Sequence, residues 1–280
     1  MRGPSCAARW LKSVWKKWIL LLTMTGRSSW FGTDPMQCVV LAGGLGTRLG
    51  QLTRAVPKNL VNAAGRPFAD HHLELLARQS IRHVTYCIGH LGSLIRDHVG
   101  DGSRFGLTVD YVDEGAALLG TGGALRLALD QGALAEKFFV TFGDSYLTTS
   151  FPAVWAAAEA SRPSALMTVF RNNGKWDASN VVYRNGKVEL YEKSRADAAA
   201  IGMEWIDYGL LVLRKQLIEE GIRPGEGADL AVLCNRLSIE GRLAGYEVDE
   251  RFYEIGTVSG LRDFEAYIAG RVAEKRSGQG

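Results

Sequence analysis

A glycine-rich loop with two nearby cations is the part of this sequence best suited to chemistry. The loop runs from Leu41 to Arg48 and contains three glycines, and Lys58 follows ten residues after Arg48. It comes directly after the short apolar run Gln37–Leu41, which predicts a β-strand. Glycines at the end of a strand let the backbone approach a ligand and turn several N–H groups toward one anion. Because Arg48 and Lys58 add positive charge, the segment predicts a polyphosphate-binding site.

Two common phosphate-binding motifs do not account for this loop. The dinucleotide fingerprint requires a glycine where Leu49 stands, and the chain contains no Gly-Lys-Ser or Gly-Lys-Thr of a P-loop. The loop therefore belongs to another class of phosphate site.

Asp144 is the acidic residue best placed to act beside this loop. It follows the apolar run Phe138–Phe142 and a glycine. A carboxylate at the end of a parallel strand points into the ligand crevice, although an aspartate in a turn gives the same local pattern. Mg²⁺ is commonly held by one or two carboxylates together with phosphate oxygens, so Asp144 beside a phosphate loop is a candidate Mg²⁺ ligand.

The elements that must position these residues alternate between strands and helices, which predicts an α/β fold with a mostly parallel sheet. Helices are expected where apolar residues recur at three- and four-residue spacing. The predicted strands are 37–41, 84–88, 107–112, 138–142, 165–170 and 205–213, and the predicted helices are 68–79, 91–99, 122–129 and 258–273.

The second half of the chain changes in character near residue 160. Asn185-Gly186 separates the alternating runs 181–184 and 187–190. A type I′ turn needs two positive φ angles, which Asn-Gly supplies readily, so we expect a β-hairpin here. We interpret this half as a small antiparallel β lobe.

Residues 41–67 resemble the signature of the sugar-1-phosphate nucleotidylyltransferases, the nucleoside-diphosphate-sugar pyrophosphorylases. That signature reads L-A-G-G-x-G-T-R-L-x-P-L-T, then P-K-x-L, then G-x-P, which Gly65-Arg66-Pro67 supplies here. The chain departs from it at Gln51 and Asn62, where prolines are usual, and neither change removes a charged residue or a glycine. The similarity extends to about residue 269 and implies a three-layer α/β/α nucleotide-binding fold.

The resemblance also implies roles for individual residues. Arg48 and Lys58 would neutralise the departing pyrophosphate, and Lys193 of Tyr191-Glu192-Lys193 would hold the phosphate that attacks. The segment 119–124 opens a helix and would contact the base, although a helix N-terminus also suits an anion. The implied nucleotide contacts are Leu41, Ala42, Gly43, Gly44, Gly46, Thr47, Glu114, Gly120 and Gly122, and the implied sugar contacts are Asn180, Glu192, Asp207 and Gly209.

Asp144 resembles the family's Gly-Asp metal site, and Glu254 is the second candidate ligand. Relatives usually carry aspartate before Ile-Gly-Thr, whereas this chain has Glu254 there. The extra methylene displaces the carboxylate, so direct ligation and ligation through water both stay open.

Composition excludes several other classes of protein. The chain has 280 residues, is 46% hydrophobic and 22% charged, and carries a net charge of +3, which is typical of a globular protein and not of a disordered tail. Beyond residue 35 acidic residues slightly outnumber basic ones, so nothing draws the body toward nucleic acid. The four cysteines show no disulfide or metal spacing, and we interpret them, like His71 and His72, as structural.

Residues 1–35 form a distinct lead with four of the seven tryptophans and six basic residues against Asp34 alone. Its apolar run is too short to cross a bilayer, so we expect no stable membrane insertion. An amphipathic membrane-surface lead and a translated upstream stretch before Met36 both fit, and we favour the second. The expected organisation is a poorly ordered or extraneous lead, 1–35, and a nucleotidyltransferase domain, 36–280, in the cytoplasm.

The expected reaction is transfer of a nucleoside monophosphate from a nucleoside triphosphate to a sugar 1-phosphate, with Mg²⁺ as cofactor. Formation of a homo-oligomer is left open, and the sequence determines neither the base nor the sugar. The compact length is most similar to bacterial enzymes for heptose 1-phosphate and N-acetylmuramate 1-phosphate. Two alternatives are a non-catalytic nucleotide-sugar-binding or regulatory subunit and a membrane-associated assembly factor.

Overall fold

The computed structural model of the chain describes residues 36–46, 49–50, 53, 55–176, 178–193 and 195–277. The predictions for the N-terminal lead, and for Thr47 and Arg48 in the loop, lie outside these residues. Across the described part of the chain, no helix is both long enough and apolar enough to cross a bilayer.

Thirteen strands and seven α-helices are found in the described ranges. The strands are β1 (Gln37–Leu41), β2 (Asn62–Ala63), β3 (Arg66–Pro67), β4 (His83–Ile88), β5 (Thr108–Asp113), β6 (Lys137–Phe142), β7 (Ser145–Tyr146), β8 (Ala165–Arg171), β9 (Val181–Arg184), β10 (Lys187–Tyr191), β11 (Trp205–Arg214), β12 (Leu243–Val248) and β13 (Tyr253–Glu254). The helices are α1 (Phe68–Arg78), α2 (Gly92–Val99), α3 (Gly120–Asp130), α4 (Phe151–Ala160), α5 (Lys215–Gly221), α6 (Leu230–Ile239) and α7 (Val258–Ser277).

A nine-stranded mixed sheet, in the order β5-β4-β1-β6-β11-β8-β12-β10-β9, forms the centre of the fold. Parallel pairing joins β5, β4, β1 and β6, and also joins β8 to β12. Strand β11 runs antiparallel to both of its neighbours, β6 and β8. The prediction of a mixed α/β fold is confirmed, while the parallel character is confined to these two groups of strands.

The expected separate antiparallel lobe is wrong. The hairpin itself is present, with Asn185 at φ 50° and Gly186 at φ 78°, as a type I′ turn requires. However, β10 pairs with β12 and β9 pairs with β11, so the hairpin extends the main sheet. A free hairpin would leave unpaired backbone groups at its edges, and pairing with the sheet satisfies them.

Side chains of β1 point alternately into two hydrophobic clusters. Val39 and Leu41 pack with residues of α3, α5 and α6, whereas Cys38 and Val40 pack with residues of α1, α2 and α4. Alternation along a strand places successive side chains on opposite faces of a sheet. Strand β1 is therefore buried on both faces, and the loop that follows it is fixed at one end by the core.

The strand order reverses beside β1. From β1 the chain continues to β4 and β5 on one side and then crosses to β6 on the other. In parallel α/β sheets, ligands bind at such a reversal, outside the carboxyl ends of the strands. The segments that leave β1, β4, β5 and β6 all start at this edge.

Candidate active site

A cavity of about 410 Å³ opens at the carboxyl edge of the sheet, between the loops that follow β1, β5 and β6. It is larger than two other cavities in the described part of the chain, of about 280 and 20 Å³. Its lining comprises Leu41, Ala42, Gly43, Gly44, Gly46, Lys58, Asn59, Cys87, Glu114, Leu118, Gly120, Thr121, Ala124, Phe142, Gly143 and Asp144. The structure thus brings together residues that are up to about 100 positions apart in the sequence.

Gly43 allows the loop to pass close to an acidic side chain. A Cβ added at this position would lie 2.2 Å from Oε1 of Glu114, which is far inside contact distance. The same carboxylate accepts a hydrogen bond of 2.7 Å from the Leu119 N–H through its other oxygen. Burial raises the pKa of Glu114, while that hydrogen bond opposes the shift. Glu114 therefore joins the glycine loop to the start of α3.

The start of α3 contributes to the cavity only in part. Gly120 lines it, whereas Gly122 does not. The Gly122 N–H donates to the Ala228 carbonyl at 2.8 Å, and a Cβ on Gly122 would contact Ile222 and Ala228. The structure places Gly122 in the packing between helices, away from the other predicted nucleotide contacts.

Lys58 and Asp144 form an ion pair on the wall of the cavity. Lys58 lies in a short 3-10 turn, Lys58–Leu60, and its Nζ contacts Oδ2 of Asp144. Their side chains are only 17% and 20% exposed, respectively. Asp144 follows β6, and the Gly143 N–H donates to the Leu41 carbonyl at 2.9 Å. The predicted cation and the predicted metal ligand are thus held at the carboxyl edge next to the glycine loop.

Glu254 lies beside Asp144 through backbone pairing. Strand β13 runs antiparallel to β7 with Glu254 opposite Ser145, and the Ile255 N–H donates to the Asp144 carbonyl at 3.0 Å. The described residues contain no group of three or more histidine, cysteine or acidic side chains able to hold a metal ion. Mg²⁺ commonly takes one or two protein carboxylates and completes its shell with substrate phosphates and water. Asp144, in the cavity wall, fits that pattern, whereas Glu254 lies outside the cavity lining and is brought near Asp144 by the backbone pairing.

A second group of predicted residues lies around a narrow cavity of about 20 Å³. Lys193 and Asp207 line it, and Thr121 and Phe142 line both this cavity and the larger one. The two cavities are therefore adjacent. Of the predicted phosphate-holding and sugar-contacting residues, Lys193 and Asp207 thus lie beside the larger cavity.

A bulge in β11 sets the position of Asp207. The pairing register of β11 with β8 shifts between Asp207 and Leu211, and Gly209 in this stretch has φ 97°. The Gly209 N–H donates to Oδ1 of Asp207 at 2.9 Å, and the Tyr191 hydroxyl donates to Oδ2 at 3.4 Å. Burial raises the pKa of the Asp207 carboxyl, and these two hydrogen bonds and the Lys193 charge oppose the shift.

Asn180 and Glu192 lie near Asp207 but outside both cavity linings. Oδ1 of Asn180 accepts from the Asp207 N–H at 3.0 Å, and its carbonyl accepts from the Glu192 N–H at 2.9 Å. The Glu192 carboxylate pairs with Arg195 at 2.7 Å. The geometry gives Asn180 a positioning role toward Asp207 and turns Glu192 toward a surface arginine. Tyr208 is a core residue, and its hydroxyl accepts from the Thr148 N–H at 3.1 Å.

Sequence reasoning missed Asn59 and the contact between Thr121 and Asp229. Asn59 lines the large cavity, is 3% exposed, and its Nδ2 has no hydrogen-bond partner. The Thr121 hydroxyl donates to Asp229 at 2.9 Å, which links α3 to the start of α6 beside the narrow cavity. Proximity to Lys58 was a signal for Asn59, whereas nothing local in the sequence pairs Thr121 with Asp229.

Comparison with known proteins gives consistent matches. The family described as nucleotidyl transferase matches residues 37–265. The chain is 27% identical over 232 residues to an N-acetylmuramate alpha-1-phosphate uridylyltransferase from Neisseria meningitidis, covering 82% of this chain and 97% of that protein. It is 26% identical over 244 residues to the enzyme of the same name from Caulobacter vibrioides, covering 84% of this chain and 98% of that protein.

Solved structures share the fold. HddC from Yersinia pseudotuberculosis, in complex with GMP-PN, aligns with a TM-score of 0.68 at 24% identity, covering 83% of this chain and 99% of that one. A putative glucose-1-phosphate thymidylyltransferase from Bacillus anthracis aligns with a TM-score of 0.71 at 20% identity, covering 83% and 94%. The family match over most of the chain, with relatives of nearly equal length, confirms the resemblance given by the loop: this chain belongs to the nucleotidyl transferase family, among the sugar-1-phosphate nucleotidyltransferases.

Proposed function

We propose that this protein transfers a nucleoside monophosphate from a nucleoside triphosphate to a sugar 1-phosphate, releasing a nucleoside-diphosphate sugar and pyrophosphate. The observation that carries the proposal is the Lys58–Asp144 ion pair on the wall of a glycine-lined cavity at the strand-order reversal. A cation and a carboxylate beside backbone N–H groups suit a triphosphate and its metal ion. The names of the relatives support the same reaction class.

The nucleoside triphosphate occupies the larger cavity in this proposal. Its lining glycines bring backbone N–H groups to the phosphates, since no side chain covers the backbone at these positions. Glu114 and Gly120, which also line this cavity, contact the base. Thr47 and Arg48 complete the phosphate site by the family resemblance.

The sugar phosphate lies on the side of the larger cavity that adjoins the narrow one. Lys193 holds its phosphate, and Asp207, with its carboxylate fixed by the Gly209 N–H, accepts hydrogen bonds from sugar hydroxyls. Asn180 keeps Asp207 in place through the hydrogen bond from the Asp207 N–H. The adjacency of the two cavities supports a direct reaction between the two substrates.

The chemistry is an in-line displacement at the α-phosphorus. An oxygen of the sugar phosphate forms a bond to this phosphorus while the bond to the bridging oxygen of the β-phosphate breaks, and pyrophosphate leaves with the electron pair. Lys58 and Arg48 neutralise the charge that develops on pyrophosphate, and Lys193 orients the nucleophile. No residue of the chain forms a covalent intermediate.

Asp144 and Glu254 would hold Mg²⁺. When bound, the ion neutralises phosphate charge and aligns the two phosphates. The backbone pairing of Glu254 beside Asp144 supports this assignment. In the described structure the Asp144 carboxylate contacts the positive charge of Lys58, so this carboxylate is already paired with a cation.

We also propose a layer arrangement, domain bounds and a cellular location for the protein. The burial of β1 side chains into two clusters supports a three-layer α/β/α arrangement. The family match, which begins at residue 37, supports a domain over residues 36–280. A cytoplasmic location is proposed because nucleoside triphosphates are produced there.

The test is pyrophosphate release from purified protein with four nucleoside triphosphates and a panel of sugar 1-phosphates, beginning with UTP and N-acetylmuramate 1-phosphate. Asp144→Asn should lower turnover by at least about 100-fold, as loss of a metal ligand or transition-state charge partner does. Asp110→Asn, an exposed aspartate paired with His83, is the matched control and should leave turnover unchanged. Absence of pyrophosphate with every pair would reject the proposal, and binding without turnover would favour a regulatory subunit.

A further inference from the structure

A second cavity, of about 280 Å³, lies between α1, β7 and α7, outside the proposed active site. Three arginines line it, Arg66, Arg78 and Arg271, against a single carboxylate, Glu74. The cavity is therefore cationic by composition. Its volume is smaller than that of the nucleotide cavity, which limits it to a small ligand.

Arg66 is committed to neighbours within the cavity wall. Both of its terminal nitrogens donate to Glu74, one of them to Oε2 at 2.7 Å. Nδ1 of His71 lies 3.1 Å from Arg66 Nη2, and Nε2 lies 2.9 Å from the Ala63 carbonyl. Nε2 therefore carries the proton, and burial lowers the pKa of His71, so the ring is neutral. The charges of Arg66 and Glu74 cancel.

Arg78 and Arg271 supply the remaining positive charge. Nη2 of Arg78 donates to the Tyr146 hydroxyl at 3.1 Å, and Nη1 lies 3.7 Å from Glu74, beyond hydrogen-bond distance. Nη1 of Arg271 donates to the Tyr267 hydroxyl at 2.9 Å. A phenol accepts a hydrogen bond but does not offset a unit charge. Arg78 shares Glu74 with Arg66, and the charge of Glu274 acts on Arg271. Within the cavity lining itself, three guanidinium groups face one carboxylate.

We infer that this second cavity binds a small phosphate oxyanion, either inorganic phosphate or the phosphate group of a monoester. Guanidinium groups match the geometry of phosphate oxygens and bind them through paired, charge-assisted hydrogen bonds. A divalent phosphate balances the net charge of the lining, which has three arginines and one glutamate. A carboxylate of one charge would leave one arginine unbalanced.

The second cavity is connected to the proposed active site by short structural paths. Tyr146 lines it, and Asp144 precedes Tyr146 by two residues on the segment that enters β7. Strand β7 pairs with β13, which carries Glu254. On α1, His71 lines the cavity, and the adjacent His72 is buried. An anion that draws Arg78 away from Tyr146 therefore acts on the segment that holds Asp144.

Phosphate binding to the second cavity does not depend on the proposed reaction. The effect of bound phosphate on the proposed active site does rest on that reaction. The experiment measures the dissociation constant of inorganic phosphate calorimetrically in phosphate-free buffer. Arg271→Gln and Arg78→Gln should each weaken binding by at least about tenfold, the loss expected for a charge-assisted hydrogen bond. Arg262→Gln, an exposed arginine of the same helix α7 outside the cavity lining, should weaken it less than about twofold.

Lys58→Ala separates this cavity from the nucleotide cavity. Phosphate binding that persists in Lys58→Ala and weakens in both arginine variants supports the inference. Binding that is lost in Lys58→Ala, or unchanged in both arginine variants, overturns it. Inorganic phosphate, pyrophosphate and glucose 6-phosphate are compared as probes, and preference for the monoester would identify a phosphorylated metabolite as the ligand. In the active enzyme, phosphate should change the apparent affinity for nucleoside triphosphate by about fivefold or more, and Arg271→Gln should abolish that change.

Discussion

Replacement of Lys58 by alanine is the sharpest test of how the proposed site stabilises the departing pyrophosphate. The side chain of Lys58 is 17% exposed and that of its partner Asp144 is 20% exposed, so water screens this region only partly. Two unit charges about 4 Å apart interact by about 4 kcal/mol at an effective dielectric constant of about 20. Pyrophosphate gains only part of a unit charge in the transition state, so we expect a loss of about 2 to 3 kcal/mol, or about 30- to 150-fold in kcat/KM.

The assay is steady-state pyrophosphate release at saturating Mg²⁺, with kcat and KM determined separately. Because Lys58 acts on charge that develops during the reaction, most of the loss should appear in kcat. Lys215→Ala is the matched control, because Lys215 also pairs with a carboxylate, Glu136 at 2.9 Å, but the pair is exposed and outside the site. It should leave kcat/KM within about twofold of the wild-type value, as expected for a surface ion pair. A folded Lys58→Ala protein with wild-type kcat would refute the reasoning.

Three further predictions concern other residues of the site. Gly43→Ala should lower the free energy of unfolding by about 0.5 to 1.5 kcal/mol, because its Cβ would displace the Glu114 carboxylate and cost its hydrogen bond from the Leu119 N–H. Gly44→Ala, with no atom within 4 Å of its Cβ, should change it by less than about 0.5 kcal/mol; equal urea midpoints would contradict this. Burial raises the pKa of Asp207, so ionisation of this carboxyl destabilises the fold as the pH rises above its usual pKa of 3.8. Asp207→Asn should therefore unfold at a higher urea concentration than wild type at pH 7, and this difference in urea midpoint should shrink toward pH 4. A difference that does not change with pH would exclude this cause. Glu254→Gln should raise the Mg²⁺ concentration for half-maximal activity by about tenfold or more, with the exposed Glu250→Gln as control, and an unchanged Mg²⁺ requirement would remove Glu254 from the proposed metal site.

The sequence predicted the parts of the fold that are encoded locally. The β1 strand, the glycine loop and Asp144 after β6 are each recognisable within about ten residues, and the parallel strands bring them to one edge. The Asn185-Gly186 turn was also predicted correctly because the conformation depends on those two residues alone. Features that a few neighbouring residues specify can therefore be predicted from a single sequence.

Contacts between distant short elements could not be predicted in this way. Strands β7 and β13 have two residues each, too few for a recognisable alternation, yet their pairing sets Glu254 beside Asp144. The antiparallel lobe was wrong because the alternation in β9 and β10 identifies strands but not their partners, and β12 was not among the predicted strands. Gly122 matches the motif as well as Gly120 does, but only Gly120 lines the cavity, whereas the Gly122 N–H is bonded to the Ala228 carbonyl.

The reversed direction of β11 has a consequence for how the two substrates meet. Because β11 is antiparallel to β6, its amino-terminal half, with Asp207, reaches the same edge of the sheet as Asp144. The residues proposed to bind the two substrates thus lie on one continuous hydrogen-bonded sheet. The reacting phosphates can then be held at a fixed spacing without closure of one domain onto another, so the entropy of bringing them together is lost on binding and not during the chemical step.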